Sequence, residues 1–187
     1  SVTKIGGSAF SNCRSLISVI ISGRVTMIRE YTFSGCEGLT SVTIPDSVWE
    51  IGQSAFFGCS SLTSVTIPDK VTTIGQEAFA LCRGLTSVTI GDRVPTIGNY
   101  AFYYCDSLTS VYCKATTPPS LDGTWVFDYN GSGRKIYVPA GSVKAYKSAT
   151  NWSEYASAIV GYYFYNEIWY TSSDGNVVKP NRTDVFG

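Results

Sequence analysis

Residues 44–67 read IPDSVWEIGQSAFFGCSSLTSVTI, and most of the chain repeats the pattern of this stretch. Its apolar positions recur every 23 residues in both directions along the sequence. The recurring residues form five columns: Ile5, Ile28, Ile51, Ile74 and Ile97; Phe10, Phe33, Phe56, Phe79 and Phe102; Cys13, Cys36, Cys59, Cys82 and Cys105; Leu16, Leu39, Leu62, Leu85 and Leu108; Val19, Val42, Val65, Val88 and Val111. Such regularity predicts a stack of similar coils that bury one continuous core.

A single repeat contains three signals of local structure. Residues 62–67 follow the pattern L-x-x-V-x-I, which predicts a short strand that ends at Pro68 because proline lacks a backbone N–H. Val71 and Ile74 predict a second extended segment before Gly75. Residues 76–82 are rich in helix formers and predict a single helical turn. One coil is therefore expected to consist of a strand, a turn, an extended segment and a short helical turn, in the α/β class.

The pattern I-P-D-x-V-x-x-I-G-x-x-A-F-x-x-C-x-x-L-T-S-V-T-I resembles the bacterial BspA-type leucine-rich repeats, over residues 1 to about 113. The departures are local, at Arg29, Thr32 and Cys113. The resemblance implies a right-handed, curved leucine-rich-repeat solenoid of about five 23-residue coils. It also implies a secreted or surface-anchored protein of gut or oral bacteria, with adhesion as the associated activity.

The regular period ends after residue 113, and the sequence predicts three regions. Residues 1–113 form the solenoid, residues 114–161 a degenerate repeat with a helical C-terminal cap, and residues 162–187 the start of a further β module or a tail. The degenerate repeat places Leu121, Trp125 and Phe127 at core positions. The cap carries apolar side chains at helical intervals, namely Val143, Tyr146, Trp152 and Tyr155. A hairpin turn is expected at residues 174–175.

Composition excludes several classes of function. Fourteen basic residues balance fourteen acidic ones and only 15% of positions are charged, so no electrostatic footprint for nucleic acid is present. Histidine is absent, which removes the commonest general base and metal ligand. No apolar run is long enough to cross a membrane. We expect a monomeric, non-catalytic protein without cofactor or metal. Because Ser1 falls inside a repeat, any targeting signal would lie upstream of it.

The cysteine column is interpreted as a ladder of buried free thiols. Equivalent residues on adjacent coils lie about 5 Å apart, yet their Cβ vectors run parallel, which disfavours disulfides. Buried cysteine then acts as a small apolar residue. The alternative is one bridge between Cys105 and Cys113, where the ladder breaks.

A second polar column consists of Asp46, Asp69 and Asp92, each just after a strand. Calcium binding is one interpretation of three stacked carboxylates. The other is that each aspartate satisfies backbone N–H groups in its own turn.

Variable aromatic residues give the only functional signal inside the repeat frame. The strand face is mostly Ser and Thr, interrupted by Ile17, Ile20 and Tyr112, while aromatics collect near the last coil. We predict a binding surface there, formed by Tyr100, Tyr103, Tyr104, Tyr112 and Trp125, because exposed aromatics are common binding hot spots. Its partner would be a host protein or a glycan. The alternatives are that these rings only pack on neighbouring coils, and that the chain is a spacer or an ancillary domain of a larger secreted protein.

Overall fold

The computed structural model describes residues 2–165 and 168–170. Within these residues the chain forms thirteen β-strands, one α-helix and two 3₁₀ helices. The strands are β1 (Ser18–Ile20), β2 (Met27–Ile28), β3 (Ser41–Thr43), β4 (Glu50–Ile51), β5 (Ser64–Ile67), β6 (Thr73–Ile74), β7 (Ser87–Ile90), β8 (Thr96–Ile97), β9 (Ser110–Cys113), β10 (Ser120–Leu121), β11 (Lys135–Pro139), β12 (Ile159–Tyr165) and β13 (Ile168–Tyr170). The helices are α1 (Val143–Ser148) and the 3₁₀ helices Ala140–Ser142 and Trp152–Tyr155.

Each coil contributes one strand to each of two sides of the solenoid. On one side, β1 pairs in parallel with β3, and β5, β7, β9 and β11 pair in parallel, each with the next. On the other side the two-residue strands form a five-stranded sheet in the order β10-β8-β6-β4-β2. The register matches the sequence period, with Val65 opposite Val88 and Val88 opposite Val111. The predicted solenoid is confirmed, with five regular coils and a sixth, degenerate one.

The third side of each coil is a run of turns, and the predicted helical turn over residues 76–82 is wrong. Glu77 and Leu81 have positive φ values of 56° and 60°, which a right-handed helix excludes. Ala80 N–H bonds back to Glu77, whereas Phe79 N–H donates to the Ala101 carbonyl of the next coil at 2.8 Å. Alternate N–H groups thus point along the stack, and the turn side becomes a third ladder between coils.

A column of stacked phenylalanine rings forms the centre of the core. Neighbouring rings lie 5.0 to 5.4 Å apart and within 14° of parallel, through the residues Phe10, Phe33, Phe56, Phe79, Phe102 and Phe127. The five rings from Phe33 onward are fully buried. Burial of one such side chain is worth roughly 1.5–3 kcal/mol, so the stack of coils depends on contact between neighbours.

The six cysteines are free thiols, including Cys105 and Cys113. Four of them, Cys36, Cys59, Cys82 and Cys105, are completely buried, whereas Cys13 in the first coil is exposed. Each of the four donates its S–H to a phenylalanine carbonyl of the preceding coil at 3.1 to 3.2 Å. The thiols therefore link adjacent coils as well as filling the core.

The cap, formed by α1 and the two 3₁₀ helices, covers the sixth coil. Tyr146 and Trp152 are fully buried, and Tyr155 nearly so. The Trp152 indole donates to the Pro119 carbonyl at 2.6 Å, and the Tyr146 hydroxyl donates to the Ala115 carbonyl at 2.8 Å. These bonds anchor the cap to the loop that leads into β10.

After the cap, the chain adds strand β12 to the sheet that contains β11. Residues 159–162 of β12 pair in parallel with residues 136–139 of β11, and residues 163–165 then pair antiparallel with β13. Strand β12 thus crosses the boundary predicted at residue 161. The hairpin predicted at residues 174–175 lies outside the described residues. None of the helices described is long and apolar enough to cross a membrane.

Candidate binding surface

The turn side of coils five and six carries five aromatic side chains in mutual contact: Tyr100, Tyr103, Tyr104, Trp125 and Tyr129, called here the aromatic cluster. Phe127 stacks on Phe102, so coil six is two residues longer than the others and its register shifts accordingly. Trp125 therefore follows Tyr100 in one column, and Tyr129 follows Tyr104 in another.

The position of Trp125 in coil six differs from the one that the sequence predicts. The sequence placed it at a core position, but Val126 and Phe127 are the buried residues there, and the Trp125 side chain is 43% exposed. It remains one of the predicted binding residues. The reason for the error is the two-residue insertion, which moves the core position by two residues, from Trp125 to Phe127.

Ring contacts hold the cluster together around Tyr103. Its ring meets Tyr100 at 5.0 Å, Tyr104 at 4.6 Å and Tyr129 at 5.4 Å, each nearly perpendicular. Tyr104 and Tyr129 stack face to face, 4.5 Å apart and 5° from parallel. Trp125 lies 6.3 Å from both Tyr100 and Tyr103. Edge-to-face and stacked pairs are favourable geometries, so the rings form a pre-arranged surface.

The backbone beneath this surface is strained. Tyr100, Tyr104 and Tyr129 have φ values of 59°, 53° and 54°, in the left-handed region. Coils two and three place Gly35 and Gly58 at the position of Tyr104, with φ of 72° and 69°. A non-glycine residue there costs on the order of 1 kcal/mol. The left-handed conformation belongs to the repeat itself, since non-glycine residues adopt it in other coils, Ser8, Tyr31, Ser54 and Glu77 at the position of Tyr100 and Asn12 and Leu81 at that of Tyr104.

Charged groups border the cluster on one side. The Arg83 guanidinium lies 5.7 Å from the centre of the Tyr104 ring, a cation–π distance, and forms an ion pair with Asp106 at 2.6 Å. Partial removal from water, followed by the neighbouring phenols, raises the pKa of Tyr103. Tyr103 is therefore a neutral hydrogen-bonding phenol at physiological pH.

The fifth predicted residue, Tyr112, belongs to a different surface. It lies on β9 and its ring stacks with Tyr137 of β11, 4.7 Å apart. The cluster instead gains Tyr129, which the sequence analysis left out. Phe102 and Phe127 are 25 residues apart, two more than the repeat period, and the same spacing from Tyr104 identifies Tyr129.

A cavity of about 540 Å³ adjoins the cluster and shares Tyr129 with it. Its walls come from the end of coil six and from the cap, and include Asn130, Arg134, Lys135 and Glu154. Asn130 stands where earlier coils carry cysteine, and its amide donates to the Phe102 carbonyl at 2.7 Å. Arg134 lies beneath, 5.0 Å from the centre of the Tyr155 ring.

The aspartate column lies on another edge of the solenoid. The local turn is closed by backbone alone, Val71 N–H to Pro68 carbonyl at 3.0 Å, and the Asp69 carboxylate accepts Lys114 Nζ at 3.0 Å instead. No hydrogen bond between Asp69 and its own turn occurs in the described part of the chain, so that part of the local interpretation is wrong. Among residues 2–163, no three His, Cys, Asp or Glu side chains form a group suited to a metal ion.

The fold and this surface together define a leucine-rich-repeat solenoid with an exposed aromatic face. The family model of the BspA type leucine rich repeat region matches residues 1–141 in six copies. The chain therefore belongs to the BspA-type leucine-rich-repeat family, as the repeat pattern predicts. A search of curated protein sequences found no significant match.

Solved structures of bacterial leucine-rich-repeat proteins are similar to this chain. The leucine rich repeat protein of T. pallidum is 28% identical, with a TM-score of 0.63, over 73% of this chain and 62% of that one. A leucine rich cell surface protein of Faecalibacterium prausnitzii is 28% identical, with a TM-score of 0.52, over 93% and 48%. The pneumococcal vaccine antigen PcpA shares the fold at a TM-score of 0.67 and 18% identity, over 96% and 39%. The chain spans less than two thirds of each of these proteins.

Proposed function

We propose that this chain is a non-catalytic binding module displayed outside the bacterial cell, and that the aromatic cluster engages a host protein or glycan. The location is supported by similarity to a cell surface protein and a vaccine antigen. A binding rather than catalytic role is supported by the sequence, which offers no histidine as a general base.

One observation carries the proposal: five aromatic side chains on the turn side of coils five and six contact one another and form a continuous surface. Core packing does not account for them, since Trp125 and Tyr129 are 43% and 55% exposed. Aromatic side chains are enriched at binding hot spots because they bury a large area at a small cost in side-chain entropy.

The test uses residues that the repeat itself supplies at equivalent positions. A triple variant, Tyr100→Ser, Tyr103→Ala and Tyr104→Gly, copies Ser54, Ala80 and Gly58. It therefore removes three of the five rings while keeping the backbone conformation that these coils already adopt. The matched control is Trp49→Thr, which removes an exposed aromatic from another coil and copies Thr72.

We expect the unmodified chain to bind selected spots on an array of extracellular-matrix proteins and glycans. The triple variant should bind at least 30-fold more weakly, equivalent to roughly 2 kcal/mol, whereas the control should retain its affinity. An unchanged affinity of the triple variant would show that the binding site lies elsewhere on the solenoid.

The second candidate function is a spacer without a ligand. It is favoured by the strand face, where the outward residues of β3, β5 and β7 are Ser and Thr. Absence of binding across the whole array would support it against the binding module.

A further inference from the structure

A groove of about 660 Å³ crosses the five-stranded sheet at coils four to six and is called here the sheet groove. Thr73 of β6, Thr96 of β8, Asn99 and Asp122 are among the residues that line it. One end of the groove borders the aromatic cluster, because Asn99 directly precedes Tyr100 and its Oδ1 accepts the Tyr100 N–H at 3.1 Å. The sheet groove and the aromatic cluster are therefore neighbouring parts of one surface.

Several polar groups in the sheet groove have hydrogen-bonding capacity to spare. Thr73 and Asp122 are exposed and Thr96 is half-buried. Within the described part of the chain, the two hydroxyls and the Asp122 carboxylate form no hydrogen bond or ion pair. Because Ile74 pairs with Ile97 in parallel register, the threonines before them follow each other at the strand spacing of about 4.8 Å. The groove thus presents a row of hydroxyls along the stack, with a carboxylate at coil six.

Charge and topology at the groove exclude two classes of ligand. Among the described residues that line it, Asp122 is acidic and none is basic, which disfavours nucleic acid and other polyanions. Strands β6 and β8 are interior strands that pair on both sides, so a peptide has no free edge to join there by strand pairing. A ligand of this groove must bind through the side-chain hydroxyl, amide and carboxylate groups.

A neutral sugar chain fits these groups. Its hydroxyls both donate and accept, which matches threonine hydroxyls, an asparagine amide and a carboxylate acceptor. The spacing between threonines of adjacent coils is close to the length of one sugar unit in an extended β-linked chain. The volume of the groove lies in the range of small-ligand sites, and the adjoining tyrosine and tryptophan rings offer apolar faces for a sugar ring.

We propose that the sheet groove binds a neutral, β-linked oligosaccharide that lies along the stack of coils. Asp122 accepts hydrogen bonds from sugar hydroxyls, Thr73 and Thr96 bond successive units, and the unit at the end of the groove contacts the aromatic cluster. This proposal rests on the binding function proposed above and names its ligand class.

The first experiment compares sugars by linkage and charge. Neutral β-1,4-linked hexamers of glucose, mannose, xylose and N-acetylglucosamine are titrated into the unmodified chain by calorimetry. The comparison ligands are α-linked maltohexaose, which is curved, and the glucose hexamer oxidised to carboxylates at C6. We expect at least one neutral β-linked hexamer to bind about ten-fold more tightly than either comparison ligand, because the row of hydroxyls is straight and Asp122 repels carboxylates.

The second experiment removes single groups from the groove. Asp122→Ser should weaken binding of the neutral hexamer about ten-fold, since charge-assisted hydrogen bonds are lost, and should strengthen binding of the carboxylated one. Thr96→Val keeps the shape of a strand residue and should weaken binding about three-fold. Thr66→Val is the matched control, because Thr66 is an equally exposed threonine on β5, on the other side of the solenoid. It should leave the affinity unchanged.

The outcomes separate this proposal from the binding function itself. Absence of binding by all four neutral hexamers, or an unchanged affinity in Asp122→Ser, would overturn the sugar site in the groove. Binding to proteins of the array that the triple aromatic variant loses would then leave the binding module standing without this ligand. Weaker hexamer binding in both Asp122→Ser and the triple aromatic variant, with Thr66→Val unchanged, would support both proposals.

Discussion

The cysteines show at the level of single residues how the repeat uses its chemistry. A buried thiol fills the space of a small apolar residue and also donates a weak hydrogen bond, here to a phenylalanine carbonyl that already accepts one backbone N–H. Burial raises the pKa of Cys36 to about 11 and of Cys105 and Cys113 to about 12. These thiols therefore remain protonated, and poor nucleophiles, over the physiological range.

Thiol titration of the native protein tests this prediction. At pH 8 in the absence of reductant, we expect a single rapidly reacting thiol, Cys13, because it is exposed. All six should react once the chain is denatured. Cys13→Ser is the control and should abolish the rapid phase. Fewer than five reactive thiols in the denatured chain would reveal a disulfide and contradict the ladder.

The turn segment shows what decides structure at the level of an element. Residues 76–82 have good helix propensity, yet the neighbouring coil offers carbonyl groups at the spacing of a β ladder. The chain takes those bonds and adopts left-handed residues to do so, because tertiary hydrogen bonds outweigh a propensity difference of a few tenths of a kcal/mol. Close approach of successive coils is part of this arrangement, and it requires glycine where they touch.

A substitution at Gly75 tests whether the close approach of successive coils requires glycine. A Cβ there would lie 2.6 Å from Gln53 N and from the Gly52 carbonyl carbon, both backbone atoms of the preceding coil. Gly75→Ala should therefore lower the free energy of unfolding by about 1–3 kcal/mol, as overpacking does. Urea unfolding followed by circular dichroism measures the change.

Gly58→Asn serves as the control for that substitution. Gly58 has a positive φ and its Cβ position is open, with only Gly35 Cα at 4.0 Å. Asparagine tolerates the left-handed region, so we expect a loss below about 1 kcal/mol. A larger effect at Gly58 than at Gly75 would mean that backbone conformation, and not coil spacing, limits the repeat.

At the scale of the whole molecule, the solenoid is a one-dimensional stack whose stability depends on neighbours and on its covered end. The cap supplies that cover through Tyr146 and Trp152, whose rings meet at 4.9 Å, and through Tyr155 against Phe127 at 5.7 Å. It also forms one wall of the cavity next to the aromatic cluster. Stability of the end and geometry of the candidate site are therefore linked.

Removal of the central cap side chain should show this link. Trp152→Ala leaves a large void and an unpaired Pro119 carbonyl, so we expect a loss of about 3–5 kcal/mol in the free energy of unfolding. Hydrogen exchange should lose protection in coil six before coil three. Ser153→Ala, exposed on the same 3₁₀ helix, is the matched control. Uniform loss of protection along the chain would contradict a stack that opens from its end.

The sequence by itself determined the period, the strands of the regular coils and the buried columns. These features follow from the burial of apolar residues, and the 23-residue repeat places the same apolar residues at the same positions in each coil. Tertiary structure alone decided the turn conformation, the exposure of Trp125 and the placement of Tyr112 outside the cluster. Each of these depends on what a neighbouring coil or the cap presents at hydrogen-bonding distance, and no pattern within one repeat carries that information.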